Sequence, residues 1–123
     1  MVDYSITKLN ISQKGLTQLP DDIDKYTNLQ ILRCEQNELT SLDNLRSNLQ
    51  ELYCAFNQIT SLDNLPPNLQ RLICSHNEIT RLDNLPPNLQ ELHCHGNQLI
   101  YDFEPTIENI RNYNAARKQS SNT

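Results

Sequence analysis

Residues 49–68 read LQELYCAFNQITSLDNLPPN, and residues 69–88 repeat this stretch with few changes as LQRLICSHNEITRLDNLPPN. The same unit occurs once before them, at residues 29–48, and once after them, at residues 89–103, where its second half diverges. Leucine, cysteine and asparagine therefore recur at a step of twenty residues, as the cysteines show: Cys34, Cys54, Cys74 and Cys94. A constant period of this length predicts a repeat protein in which each unit buries its apolar side chains against its neighbours.

Each position of the unit has a predictable place in such a stack. The segment L-x-x-L-x-C contains a short strand, so its leucines and cysteine point inward and the residues between them point outward. The asparagine that follows carries donors and an acceptor, which suit the backbone groups where the chain leaves the strand. The LPPN segment predicts an extended, polyproline-like convex side, because proline restricts both its own φ and the residue before it.

The unit matches the pattern L-x-x-L-x-L-x-x-N-x-L of leucine-rich repeats, with cysteine at the third apolar position. We therefore predict an α/β-type solenoid, a right-handed superhelix with a parallel concave β-sheet of about five strands. The twenty-residue step and the LPPNLQ segments resemble the short repeats of secreted bacterial effectors and of leucine-rich-repeat proteins from large DNA viruses of amoebae. The resemblance implies a protein-binding function. The resemblance to the viral proteins also implies that the protein is located in the host cytoplasm and that its partner is a host protein.

The units at the two ends depart from the pattern. Residues 6–28 form an atypical first repeat, and residues 1–5 are expected to help cover its open edge. After the last repeat the apolar side chains follow helical spacing, at Phe103, Ile107, Ile110 and Tyr113. We predict that residues 104–117 form a capping helix with Pro105 in its first turn, and that residues 118–123 form a disordered tail. Residues 1–117 are thus predicted to be one domain.

Composition and charge argue against several classes of function. The net charge is −5 and the basic residues are scattered, whereas a nucleic-acid-binding protein usually has a basic stripe. The sequence contains no apolar run long enough for a membrane span, and residues 1–10 lack the features of a signal peptide. We therefore expect a cytoplasmic protein with reduced cysteines and no cofactor. No catalytic triad or glycine-rich phosphate loop is evident, so we expect no enzyme activity.

The outward columns of the strands are where the repeats differ most, and we predict that a partner binds there. Tyr53, Phe56 and Ile73 have no packing role in the repeat pattern, and exposed aromatic side chains with a polar rim are typical of the centre of a protein interface. The predicted partner-binding residues of the concave face are Arg33, Tyr53, Phe56, Arg71, Ile73, His76 and His93.

Two alternatives follow from the same residues. Glu91, His93 and His95 alternate along one predicted strand and His76 belongs to the adjacent unit, so these four side chains suit a zinc or copper site, or a metal-dependent enzyme. The second alternative is self-association, either through the concave face or through an end strand that lacks a neighbour.

Overall fold

The computed structural model describes residues 1–121, with side chains described as far as residue 118. Within these residues the chain forms a five-stranded parallel sheet in which the strands lie in sequence order. The strands are β1 (Lys8–Asn10), β2 (Ile31–Arg33), β3 (Glu51–Tyr53), β4 (Arg71–Ile73) and β5 (Glu91–His93). One helix, α1 (Ile107–Ser121), follows the sheet. The predicted solenoid with a parallel sheet of five strands is confirmed.

The inward columns form the core, as the alternation along the strands predicted. Leu32, Leu52 and Leu72 are fully buried in register across β2, β3 and β4. The four cysteines are also buried beside them. On the convex side, no α-helix lies between residues 29 and 88, and the two prolines of each LPPN segment begin a turn. In that turn the Leu69 N–H donates to the Pro66 carbonyl at 3.2 Å, which reverses the chain toward the next strand.

The asparagine column makes hydrogen bonds both within and between repeats. The Asn77 amide nitrogen donates to the carbonyls of Cys74 (3.0 Å) and Cys54 (3.1 Å), which belong to its own and to the preceding repeat. Its side-chain oxygen accepts the Ile59 N–H at 3.0 Å, again from the preceding repeat. Asn37, Asn57 and Asn97 repeat this arrangement. The predicted role at the strand end is confirmed, and the structure adds that each amide joins two successive repeats.

The two ends of the stack are covered by aromatic and apolar side chains. At the first repeat, the Tyr4 hydroxyl donates to Asp22 at 2.7 Å, and its ring packs edge-on against Tyr26. At the other end Ile110 of α1 is fully buried. The rings of Tyr101, Phe103 and Tyr113 pack together beside it.

The bounds of α1 differ from the predicted helix. The helix begins at Ile107 rather than at residue 104, because Thr106 caps it: the Thr106 hydroxyl oxygen accepts the Asn109 N–H at 3.1 Å. Pro105 therefore precedes the cap. The helix continues to Ser121, since no glycine or proline follows Pro105 in the sequence, and residues 118–121 are thus not a disordered tail. Residues 122–123 lie outside the described part of the chain. No helix within residues 1–121 has the length and apolar character needed to cross a membrane.

The thiols of the cysteine column are protected by burial. Burial raises the pKa of Cys34 to about 12, with a smaller contribution from the nearby charge of Glu35. Burial likewise raises the pKa of Cys54, Cys74 and Cys94. These thiols therefore remain neutral in the folded protein at any physiological pH and pack as small apolar side chains.

Replacing Asn77 by alanine is expected to lower the free energy of unfolding by about 1–3 kcal/mol. The buried Ile59 N–H loses its partner, whereas the carbonyls of Cys54 and Cys74 each keep a second asparagine donor, Asn57 and Asn97 respectively. Urea titration measures the loss, and Asn64→Ala on the exposed convex side is the matched control, with an expected change within about 0.5 kcal/mol. Equal stability of the two variants would contradict a structural role for the asparagine column.

The cysteine column predicts a loss of stability in alkaline solution. The ordinary thiol pKa is 9.0, and that of Cys34 in the fold is about 12. Between these values the unfolded chain gives up the proton while the folded chain keeps it, so the free energy of unfolding falls as pH rises. Cys34→Ala should reduce this slope by up to about 1.4 kcal/mol per pH unit above pH 9. Urea titrations at pH 8 to 10.5 measure it, and identical slopes would show that the thiol is not protected.

Candidate functional site

The candidate surface is the concave face, where each strand presents two side chains to solvent on either side of an inward leucine. On β3 these are Glu51 and Tyr53, with Leu52 between them in the core. Since the repeats pair in register, the outward side chains form continuous columns across the sheet. One column runs Arg33, Tyr53, Ile73, His93, and the other runs Ile31, Glu51, Arg71, Glu91.

Tyr53 is the centre of a polar network on this face. The Arg33 guanidinium carbon lies 4.2 Å from the centroid of the Tyr53 ring, which is a cation–π arrangement. The Tyr53 hydroxyl donates to Glu51 at 2.6 Å and accepts from Arg71 at 3.2 Å. The hydrogen bond to Tyr53 and the charge of Glu91 raise the pKa of Arg71. Arg71 is therefore a permanent cation at the middle of the face.

The network extends to both sides through residues of alternating charge. Arg71 forms ion pairs with Glu51 (3.5 Å) and Glu91 (3.3 Å), and Glu91 also contacts the His93 ring nitrogen at 3.0 Å. Solvent-exposed pairs of this kind add little to stability. They do restrict the rotamers of long side chains, so a partner would find them already ordered.

Phe56 lies apart from this network, in the turn after β3. Its side chain is 52% exposed, and its ring stacks on His76 with centroids 4.4 Å apart and the planes 14° from parallel. His76 in turn meets the ring of His95 edge-on at 5.1 Å. We call the side chains of Phe56, His76 and His95 the turn stack. Ala55 and Ser75, which precede the stacked residues, are small and buried.

The seven predicted residues therefore fall into two groups. The structure brings Arg33, Tyr53 and Arg71 into direct contact, and Ile73 and His93 continue the Tyr53 column. Phe56 and His76 belong to the turn stack, and among the side chains described to residue 118 no ring contact joins Phe56 to Tyr53. Tyr53 and Phe56 were both predicted at the centre of one partner site, and the structure places them in these two separate groups.

The turn stack lies on backbone with an unfavourable conformation. Phe56 has φ +59° and His76 has φ +57°, in the left-handed region that disfavours side chains other than glycine, asparagine and aspartate. The equivalent residue of the next repeat is Gly96, and a Cβ there would lie 2.5 Å from the His76 ring nitrogen. Gly96 therefore makes room for His76. The Phe56 ring packs on His76 but is otherwise exposed, so packing of the core does not require an aromatic side chain at this position.

Three carboxylates that are not among the predicted partner-binding residues are part of the face: Glu35, Glu51 and Glu91, of which Glu91 was predicted only as a metal ligand. The aligned repeats contain a pattern of alternating charge that points to such carboxylates. One column reads Glu51, Arg71, Glu91 in successive strands. Opposite charges at directly paired positions of neighbouring strands attract one another. This alternation predicts that Glu51 and Glu91 belong to the face, whereas Glu35 lies outside the column.

The structure does not support the metal-site hypothesis. Glu91 and His93 form one pair and His76 and His95 another, but the four side chains do not converge. Within the described part of the chain, no three histidine, cysteine, aspartate or glutamate side chains are arranged to hold a metal ion. His93 points outward from β5 beside Glu91, whereas the left-handed turn at His76 directs its ring toward His95.

Strain at Phe56 can be measured by comparing two variants that both remove the ring. Phe56→Asn and Phe56→Ala lose the stacking on His76 equally, but only asparagine accepts the left-handed conformation readily. We expect the asparagine variant to be more stable than the alanine variant by about 1 kcal/mol. Thermal unfolding of both variants tests this, and an alanine variant at least as stable as the asparagine variant would rule out the strain.

Known proteins share the repeat and its arrangement. Residues 67–112 match the family described as Leucine Rich repeats (2 copies). Among solved structures, the leucine-rich-repeat domain of a Shigella effector aligns with a TM-score of 0.60 and 27% sequence identity over 84% of this chain. The chain spans 54% of the length of that structure. No curated protein matches the chain. The chain thus has the fold of a leucine-rich-repeat solenoid and is similar to the leucine-rich-repeat domain of a bacterial effector.

Proposed function

We propose that the protein binds a partner protein through its concave face, with the Tyr53 network and the turn stack as the two contact regions. The observation that carries the proposal is Phe56, whose half-exposed ring is held on a left-handed backbone that disfavours it. Residues in this conformation are common at binding surfaces, and among the left-handed residues of the repeats Phe56 is the one with a large exposed apolar side chain. Leucine-rich repeats in general are protein-interaction modules, which agrees with this use.

The chemistry of the face supports binding over catalysis. Arginine and tyrosine are the side chains in which interface energy most often concentrates, and here Arg33, Arg71 and Tyr53 contact one another on an open sheet. Their polar groups are paired within the face, so they are ordered before a partner arrives. An enzyme would need an enclosed pocket with a positioned acid or base.

The partner proposed for this face is a surface of mixed charge with an apolar centre. A carboxylate of the partner would complement Arg33, which is exposed beside Tyr53, and an apolar side chain would pack on Phe56. We further propose that the protein acts in the cytoplasm, where the four free thiols would remain reduced, and that the partner is a host protein if the source is a virus.

The double variant Tyr53→Ala/Phe56→Ala tests the proposal. Each truncation of an interface aromatic costs about 2 kcal/mol or more, so together they should weaken partner binding by several hundred-fold. Immobilised wild type and variant are compared for the proteins that they retain from a cell lysate, with affinity then measured for any protein that the variant fails to retain. Asn64→Ala, on the exposed convex side, is the matched control and should bind as the wild type does. Loss of the partner on the convex change with retention on the concave change would place the site on the opposite face.

A further inference from the structure

The outer edge of β5 has backbone groups that lack the partners their equivalents have in every earlier repeat. The Gln50 carbonyl accepts the Arg71 N–H at 3.1 Å, and the Cys54 N–H donates to the Ile73 carbonyl at 2.8 Å. The same bonds join β4 to β5. At β5 the equivalent groups are the Gln90 carbonyl and the Cys94 N–H, and neither has a hydrogen-bond partner within residues 1–121. The edge is ready to pair with one more parallel strand.

A cleft of about 680 Å³ lies along this edge, between residues 90–95 and residues 104–108. Its two walls come together at one end, where the Cys94 sulfur lies 3.7 Å from the Pro105 carbonyl. Leu92 is only half-buried in the cleft, although its equivalents Leu52 and Leu72 are fully buried. Ile107 on the facing wall is also half-buried. An added strand would cover both apolar side chains.

The charges that line the cleft favour an added strand that carries a basic side chain. Glu91 lies on one wall, and Glu104 and Glu108 are exposed on the other. Along the Glu51 column the sign alternates from strand to strand, and Arg71 lies within 3.5 Å of the carboxylates of both neighbouring strands. A cation is therefore the complementary side chain for the position next to Glu91. The apolar position that follows it would meet Leu92.

A second folded copy of the chain does not fit this edge. To continue the stack, its first repeat would need the space below the core that α1 occupies, where Ile110 is fully buried. The helix is also tied to the last full repeat, since Arg111 donates to the Pro86 carbonyl at 2.6 Å and Asn114 donates to the Leu82 carbonyl at 3.0 Å. A single extended segment can pair with β5 within the cleft and does not need the space that α1 occupies.

We propose that the β5 edge and residues 104–108 form a second binding site, which takes an extended segment of a partner protein as a sixth parallel strand. The segment presents a basic residue to Glu91, Glu104 and Glu108 and an apolar residue to Leu92 and Ile107. Main-chain hydrogen bonds to Gln90, Leu92 and Cys94 supply affinity, and the two side chains supply selectivity. This site shares Glu91 with the concave network, but it does not depend on the proposed concave function.

The probe is the acetylated and amidated peptide NLQRLI, the sequence of residues 68–73, which already pairs in this way with β3. Added to the intact protein, it should shift the backbone amide resonances of Leu92 and Cys94 and those of residues 104–108. N-methylation at the arginine and the isoleucine of the peptide removes the two N–H groups that would face β5, and should weaken binding about tenfold or more. N-methylation at the second leucine, whose N–H points away from β5, is the matched control and should have little effect.

The protein variants separate this site from the concave face. Glu104→Gln/Glu108→Gln changes two exposed carboxylates and should weaken peptide binding several-fold, while loss of the Glu108 charge from the first turn of α1 should cost no more than about 1 kcal/mol of stability. Tyr53→Ala/Phe56→Ala should leave peptide binding intact, whether or not the concave face binds a protein. Equal binding of the two N-methylated peptides, shifts confined to the concave face, or sedimentation showing that the protein pairs with itself through β5 would each overturn the proposal.

Discussion

The amide group of one buried asparagine in each repeat is the interaction on which the rest of the structure depends. In a turn of twenty residues with no convex helix, the chain leaves its strand abruptly and exposes carbonyl and N–H groups to the core. Asn77 satisfies three of them at distances of 3.0–3.1 Å, and two of these groups belong to the preceding repeat. Unpaired buried backbone groups are costly, so this amide couples each repeat to its neighbour in addition to the apolar contacts of the core. The regular register of the sheet follows from that coupling.

The turn before the asparagine position has the same backbone conformation along the whole stack. A left-handed residue occurs there in every repeat: Gln13, Gln36, Phe56, His76 and Gly96. The first repeat has Lys14 in place of the asparagine, so the conformation is a property of the turn and is kept whatever side chain occupies the position. Stability supplied by the core thus permits an exposed Phe56 on strained backbone, which is where the concave face acquires its most distinctive apolar group.

The two proposed binding regions use different physics. The concave face offers ordered side chains on a continuous sheet, and a partner there is recognised by the pattern of charges around Tyr53. The β5 edge offers main-chain hydrogen bonds, which any extended chain can satisfy, and relies on three carboxylates for selectivity. The capping helix makes this difference possible, because it covers the apolar core at Ile110 while leaving the strand edge beside it uncovered.

The repeat period, the inward columns and the asparagine role could all be read from the sequence, since each depends on contacts that recur identically in every unit. The surroundings of Phe56 have a local cause that the sequence does not reveal. Sequence columns do not show the sign of φ, so the stacking of Phe56 on His76 rather than beside Tyr53 could not be predicted. The unknown sign of φ also affected the predicted metal site. The sequence placed His76, His93, His95 and Glu91 together, whereas in the structure Glu91 pairs with His93 and His76 pairs with His95. The bounds of α1 depended on the Thr106 cap, and the open edge of β5 depended on where α1 packs. Both are decided by contacts that occur once in the chain, and a pattern that does not repeat leaves no periodic signal from which to predict it.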